Sequence, residues 1–178
     1  MRYPAKDTEK RHQTLVQKTS EMIREHGVDG VSVADAMKAA SLTHGAFYSH
    51  FDSKTELVRA AISHAMDGTR RGAEERWKTA AGRNAYLDSY LSMNHRNGMA
   101  AGCTMAALSG ELRDKPEFQD VFTSKLKEIV DAMGDDREQN LATLASMVGA
   151  ISLARAINDE TFAQELLDAV KKELHAKV

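Results

Sequence analysis

The chain has 178 residues, 42% of them hydrophobic and 28% charged, with a formal net charge of −2 at pH 7. That length suffices for one good core or for a small domain and a medium one, and the weak charge excludes a polybasic protein that coats nucleic acid by bulk attraction. A single cysteine excludes an intrachain disulfide and a cysteine-rich metal site.

Two prolines, eleven glycines and no alternating β-branched runs favour an all-α fold. No stretch approaches the roughly eighteen apolar residues of a membrane span. The opening MRYPAKDTEK lacks the apolar core of a secretory signal, so the expected location is the cytoplasm, with no membrane partner. Residues 1–64 carry nine Lys/Arg against eight Asp/Glu. Any DNA binding must therefore rest on locally placed cations, helix N-termini and histidines, and on doubling of the site in a dimer.

In chain order, residues 1–6 read as an arm in which Arg2 and Lys6 could reach a phosphate or a minor groove. Leu15, Val16, Met22 and Ile23 then recur at helical spacing between Thr8 and His26, with Gly27 as the stop. The turn Asp29-Gly30 leads to Ser32, an N-cap with Asp35 three residues on. Val33, Ala36, Met37 and Ala40 form the buried face of this second helix. After a turn over 39–41, Leu42 is an apolar plug, and Thr43 caps a helix of about two turns ending at Ser49. This is the grammar of a helix-turn-helix, whose second helix is offered to a DNA major groove. Phe47 is its anchor, while Thr43, His44, Gly45, Tyr48, Ser49 and His50 face outward. A glycine inside a helix costs about 1 kcal/mol relative to alanine, so Gly45 points to close approach by a phosphate or a base edge. Ser53-Lys54-Thr55-Glu56 is a capping box that starts the next helix, and its free N–H groups beside Lys54 suit a phosphate.

The run THGAFYSHF followed by DSKTEL resembles the signature of the TetR family of bacterial transcriptional regulators, through Tyr48, His50, Phe51, Ser53, Lys54 and Leu57. The resemblance covers about the first third of the chain. It implies a DNA-binding head over residues 1–66 and an effector-binding and dimerisation body over 67–178, about nine helices in all. It also implies that the fourth helix carries ligand-induced movement to the head. The expected DNA contacts are Ser32, Thr43, His44, Gly45, Tyr48, Ser49, His50 and Lys54.

Leu57, Val58, Ala61, Ile62 and Ala65 stripe the fourth helix, which runs toward Gly72. The polar stretch 68–83 contains a partly buried helix around Ala73 and Trp77, with Gly82 as a boundary. A fifth helix is expected over Asn84 to His95, then a loop to Gly102 and a sixth helix from Cys103-Thr104. Gly102, Cys103, Ala106, Ala107 and Glu111 look like a recurrent feature of TetR-type effector domains. Pro116 opens an amphipathic helix to Met133, followed by a small-residue helix over Asn140 to Ile157 and a last helix over Thr161 to Leu174.

Trp77, Tyr86, Tyr90, Met93, His95, Cys103, Met105, Glu111, Phe118 and Phe122 are candidates to line an effector cavity, although residues at helical spacing equally suit a plain core. The last two helices carry more apolar surface than one chain needs. Leu144, Met147, Val148, Ile151, Arg155, Phe162, Leu166, Leu167 and Val170 are therefore expected in a two-fold four-helix interface. The seven histidines show no i, i+4 pair, and no nucleotide loop or nucleophile elbow is present, so neither metal, cofactor nor enzymatic activity is expected. Cys103 is either a packed small hydrophobe or a thiol at a helix N-terminus that senses oxidants or electrophiles. The expected function is a ligand-responsive repressor that binds a palindromic double-stranded operator as a homodimer; the alternative is a thiol-based sensing regulator.

Overall fold

The computed structural model describes residues 5–176, with side chains from residue 8 onward, so the arm expected over residues 1–6 lies outside the described side chains. Helix α1 (Ala5–His26) buries Leu15 and Ile23 completely and stops at Gly27, whose φ of 73° is the left-handed conformation of a helix C-terminus. Helix α2 (Val33–Ala39) starts where Ser32 Oγ accepts from the Asp35 amide at 3.1 Å.

The turn after α2 is a Schellman closure. Leu42 N donates to the Met37 carbonyl at 2.8 Å and Ser41 N to the Lys38 carbonyl at 3.0 Å. This places Ser41 at φ 58°, a left-handed conformation that its Cβ disfavours. Ser41→Gly is therefore expected to stabilise the protein by up to about 1 kcal/mol. A lower melting temperature for that variant would contradict this account.

The two-turn α-helix expected over 43–49 is a 3-10 helix, His44–Ser49, with no side-chain cap from Thr43. Six residues that include a glycine are too few to nucleate α-helix firmly, and short 3-10 pieces are the common outcome. Phe47 holds the segment in place, 2% exposed, with Phe51 beside it and the His12 ring stacked on Phe51 at 4.6 Å.

Helix α3 (Lys54–Arg76) begins at the expected box. Ser53 Oγ accepts from Glu56 N at 3.1 Å, while the Glu56 carboxylate takes the Asp52 amide at 3.1 Å instead of that of Ser53. At about 1.5 Å per residue its 23 residues span roughly 35 Å, and it passes residue 66 unbroken. It is the spine of the molecule, with α1 along one side and α7 along another. The expected helix over 84–95 is two helices, α4 (Ala80–Tyr90) and α5 (Met93–Asn97). Thr79 and Ser92 decide this, because their hydroxyls take the amides of Gly82 and His95 and so open new helices.

Helices α6 (Thr104–Leu112), α7 (Pro116–Ala132), α8 (Arg137–Ala156) and α9 (Glu160–His175) follow the predicted order. Buried Asn140 donates to the Val130 and Gly134 carbonyls and so fixes the turn from α7 to α8. Along the α3–α7 seam Arg59 grips Asp120 with two bonds of 2.6 Å and Lys125 reaches Asp67 at 2.9 Å. Across the molecule, α8 pairs with α9, and α6 lies against α1, α7 and α8.

Candidate nucleic-acid interface and cavity

Of the residues expected at DNA, Thr43 to Lys54 follow one another along the chain after α2, and Ser32 caps the start of α2. Ser32, Thr43, His44, Gly45, Tyr48 and Ser49 are exposed, and His50 and Lys54 are half-buried. Tyr48 is 75% exposed although its ring meets Phe47 edge-on at 5.3 Å, so one neighbour is anchored while the other projects. A side chain added at Gly45 would meet nothing within 4 Å, so the chain itself does not require a glycine there. Partial burial, with His12 and Arg11 adding repulsion, pushes the His50 imidazole below its ordinary pKa and keeps it neutral near pH 7.

A cavity of about 430 Å³ opens between α1, α3, α4, α5 and the loop before α6. Of the ten residues expected at an effector site, Tyr86, Tyr90, His95 and Cys103 line it. Trp77 lies outside its wall but meets Tyr86 edge-on at 5.2 Å. Met105 and Phe118 belong to the buried core, and Met93 and Phe122 pack against it. Glu111 has a different task. Its carboxylate accepts from Val28 N at 2.9 and 3.1 Å and from Asp29 N at 3.2 Å, so the end of α6 is tied to the loop that enters the helix-turn-helix. Lys115 completes this tie, 2.6 Å from Asp29 and 3.8 Å from Glu111.

The reading from sequence missed the other wall of the cavity. Glu21 and Arg24 of α1, and His64, Arg71 and Arg76 of α3, face the tyrosines. The double arginine between Gly68 and Gly72 was the available signal, but a charged run is usually a solvated face.

Burial keeps both tyrosines protonated, raising Tyr86 to about 12 and Tyr90 well above its ordinary value. Burial also lowers the His95 pKa. Its Nδ1 lies 2.7 Å from the Tyr90 carbonyl, which can only accept, so the neutral ring carries its proton on Nδ1. Cys103 is 4% exposed, and its Sγ accepts from Ala106 N at 3.5 Å at the start of α6. Gly102 is fixed by crowding, because a Cβ there would lie 2.5 Å from Arg155 Nη2 and 2.7 Å from the Gly98 carbonyl.

The nine residues expected at a dimer interface divide. Leu144, Met147, Ile151 and Leu167 are buried within this chain and serve its own core, because α8 and α9 turn them toward the other helices. Arg155 also points inward and donates to the carbonyls of Arg96 and His95. Val148, Leu166 and Val170 are half-buried, and Phe162 is exposed. Four large hydrophobic side chains are exposed among the described residues: Tyr48 on the head, and Leu141, Leu153 and Phe162 on α8 and α9.

A braced, outward-facing segment, joined through one long helix to a helical body with a cavity, is the architecture of helix-turn-helix regulators. Residues 15–61 match the model of the tetR family of bacterial regulatory proteins. The chain is 26% identical over 173 residues to the HTH-type transcriptional regulator Rv0196 of Mycobacterium tuberculosis, covering 86% of each. It is 33% identical over 79 residues to YvdT of Bacillus subtilis, a match that spans 41% of that relative's length. Two solved structures share the fold: reduced NemR of E. coli, with a TM-score of 0.79 at 16% identity over 93% of this chain and 95% of that one, and a TetR transcriptional regulator of Chloroflexus aurantiacus, with a TM-score of 0.76 at 21% identity over 96% and 95%. Residues 15–61 are thus similar to the tetR family of bacterial regulatory proteins, and the whole chain shares the fold of the solved structures named above.

Proposed function

We infer that two copies of this chain bind a palindromic operator in the cytoplasm as a repressor, and that a small molecule in the head–body cavity releases them. The heads comprise residues 1–66 and the bodies 67–178. Thr43, His44, Gly45 and Ser49 meet base edges or adjacent backbone, with Ser32 at the margin, while Tyr48, His50 and Lys54 hold phosphates and fix register. The observation that carries this reading is Tyr48, left 75% exposed beside the open face of Gly45 while Phe47 is buried under both. Partner binding through Leu141, Leu153 and Phe162 explains why α8 and α9 keep apolar side chains in water. The cavity touches α1 directly, so a ligand with different affinities for two head positions shifts the balance between them.

Sedimentation of the protein with duplexes selected from random DNA tests this reading. Two chains per palindrome are expected; Tyr48→Ala and Lys54→Ala should each weaken binding, and Lys54→Ala, which removes a charge, should also flatten its dependence on salt by about one unit of log–log slope. A stable monomer on DNA, or unchanged binding by both variants, would sink it.

A second reading has a specific support. Cys103 lies in the cavity wall and caps α6, and the fold is shared with a protein whose structure is described in a reduced form. On this reading the thiol is the sensing group. A maleimide should label the native protein and not Cys103→Ser; native protein that resists labelling would leave Cys103 as packing alone.

A further inference from the structure

Neighbouring arginines on α3 are treated differently. Arg70 faces α7 and is surrounded by carboxylates, 3.7 Å from Asp67 and 3.8 Å from Glu128, and bonded to Glu74. Arg71 sits about 100° further round the helix. It lines the cavity and has no carboxylate partner among the described residues. Arg76 lines it one to two turns on, its guanidinium 5.7 Å from the centre of the Tyr86 ring and likewise without a carboxylate. Arg24 comes from the opposite wall, with its Nε held by the Ala100 carbonyl at 2.5 Å and the rest of its fork uncommitted.

The one carboxylate in the wall, Glu21, is already held by Lys18 at 2.8 Å and Gln17 at 3.2 Å. Two buried polar atoms lack a hydrogen-bond partner among the described residues, Tyr90 Oη in the wall and Arg155 Nη1, which is not part of it. Arg155 Nη1 is a donor and Tyr90 Oη can donate or accept, so both offer hydrogen bonds that the protein itself leaves unfilled. The Tyr86 and Tyr90 rings lie stacked at 6.0 Å and give this polar space one aromatic face.

We propose that the cavity binds a small aromatic anion, whose charged end lies between Arg24, Arg71 and Arg76 and whose ring lies against Tyr86. This deepens the effector reading given above and rests on it for any consequence at DNA. Such a ligand joins α1 of the head to α3 through shared charge, which a neutral or cationic molecule of the same shape does not. The donors are partly exposed to solvent, so binding weakens as salt is added.

Anilinonaphthalene sulfonate and N-phenylnaphthylamine carry the same rings and differ by the sulfonate. Fluorescence titration of the full chain should show the sulfonate binding about tenfold tighter or more. Arg71→Gln combined with Arg76→Gln should remove about tenfold of the sulfonate affinity and leave the neutral probe within about twofold, while Arg70→Gln, which faces α7, changes neither. Equal affinity for the two probes overturns the proposal. Sulfonate binding indifferent to the cavity arginines also overturns it, because that places the probe on the apolar face of α8 and α9. Operator binding followed in the same titrations separates this proposal from the reading beneath it. Arginine-dependent sulfonate binding that leaves operator affinity unchanged keeps the anion site and defeats the effector role; release by the neutral probe alone does the reverse.

Discussion

Phe47→Ala is expected to cost about 3–5 kcal/mol of stability, the usual penalty for truncating a fully buried aromatic, and to abolish operator binding at any salt concentration. The ring is 2% exposed and packs with Phe51 in the head core. It is the one large anchor of a six-residue 3-10 helix that lacks a side-chain cap at its start. With the ring gone, little holds His44, Gly45 and Tyr48 in a common orientation. The neighbouring Tyr48→Ala gives the contrast, because a side chain 75% exposed contributes little to the fold and should change stability by no more than about 0.5 kcal/mol. Urea unfolding of both variants, read beside operator titration, measures the difference. Equal stability loss in the two would mean that Phe47 does not anchor the segment.

Glu111→Ala is expected to cost about 2 kcal/mol and to weaken operator binding although Glu111 lies far from the recognition segment in sequence. Its carboxylate is the partner of the Val28 and Asp29 amides, and the Val28 residue is 3% exposed. Hydrogen bonds to a charged acceptor contribute about 1.5–3 kcal/mol, and a buried amide left without one loses a comparable amount. Glu111→Gln retains one acceptor oxygen and should lose about half as much. Gly27→Ala should behave like the alanine variant of Glu111, since a Cβ there would lie 2.7 Å from the Glu111 carboxylate and the backbone is left-handed at that position. Thermal melts and operator titration check both. A melting temperature for Glu111→Ala that stays within about a degree of the parent would remove the tie as a link between body and head.

The tie also bears on how a ligand could reach DNA. Cys103 and Glu111 occupy the two ends of one short helix, α6, the first in the cavity wall and the second on the loop before α2. A shift of α6 of the size that packed helices make, about 1–2 Å, would be carried directly to that loop. A second route runs through α1, whose Glu21 and Arg24 line the same cavity. The anion proposed for that cavity acts on the second route, and Glu111→Ala cuts only the first. The two are therefore separable by measuring ligand-induced release in that variant.

What the sequence alone determined was whatever depends on neighbours a few residues apart. The caps at Ser32 and Ser53, the stop at Gly27, the proline start of α7 and the apolar stripes on α1, α3 and α7 are all local, and each element formed where they indicated. The outward residues of the recognition segment were legible for the same reason, since a polar run around one buried aromatic has only one sensible orientation. Where local signals competed, the reading slipped. Thr79 and Ser92 opened helices inside a segment read as one, and the recognition segment wound as 3-10 because six residues leave the choice to packing.

Only the tertiary structure decided which side of each helix meets a partner across the chain. Arg70 and Arg71 are equivalent in composition, yet α7 supplies carboxylates to one and a cavity opens before the other. Glu111 sat among expected ligand contacts until the fold brought it against backbone amides 82 and 83 residues away in sequence. Met147 and Ile151 became core because α8 is enclosed on that face by its own chain, which left Leu141, Leu153 and Phe162 outside. Long-range charge and burial depend on distances that no sequence spacing encodes, whereas hydrogen bonds within a turn depend on almost nothing else.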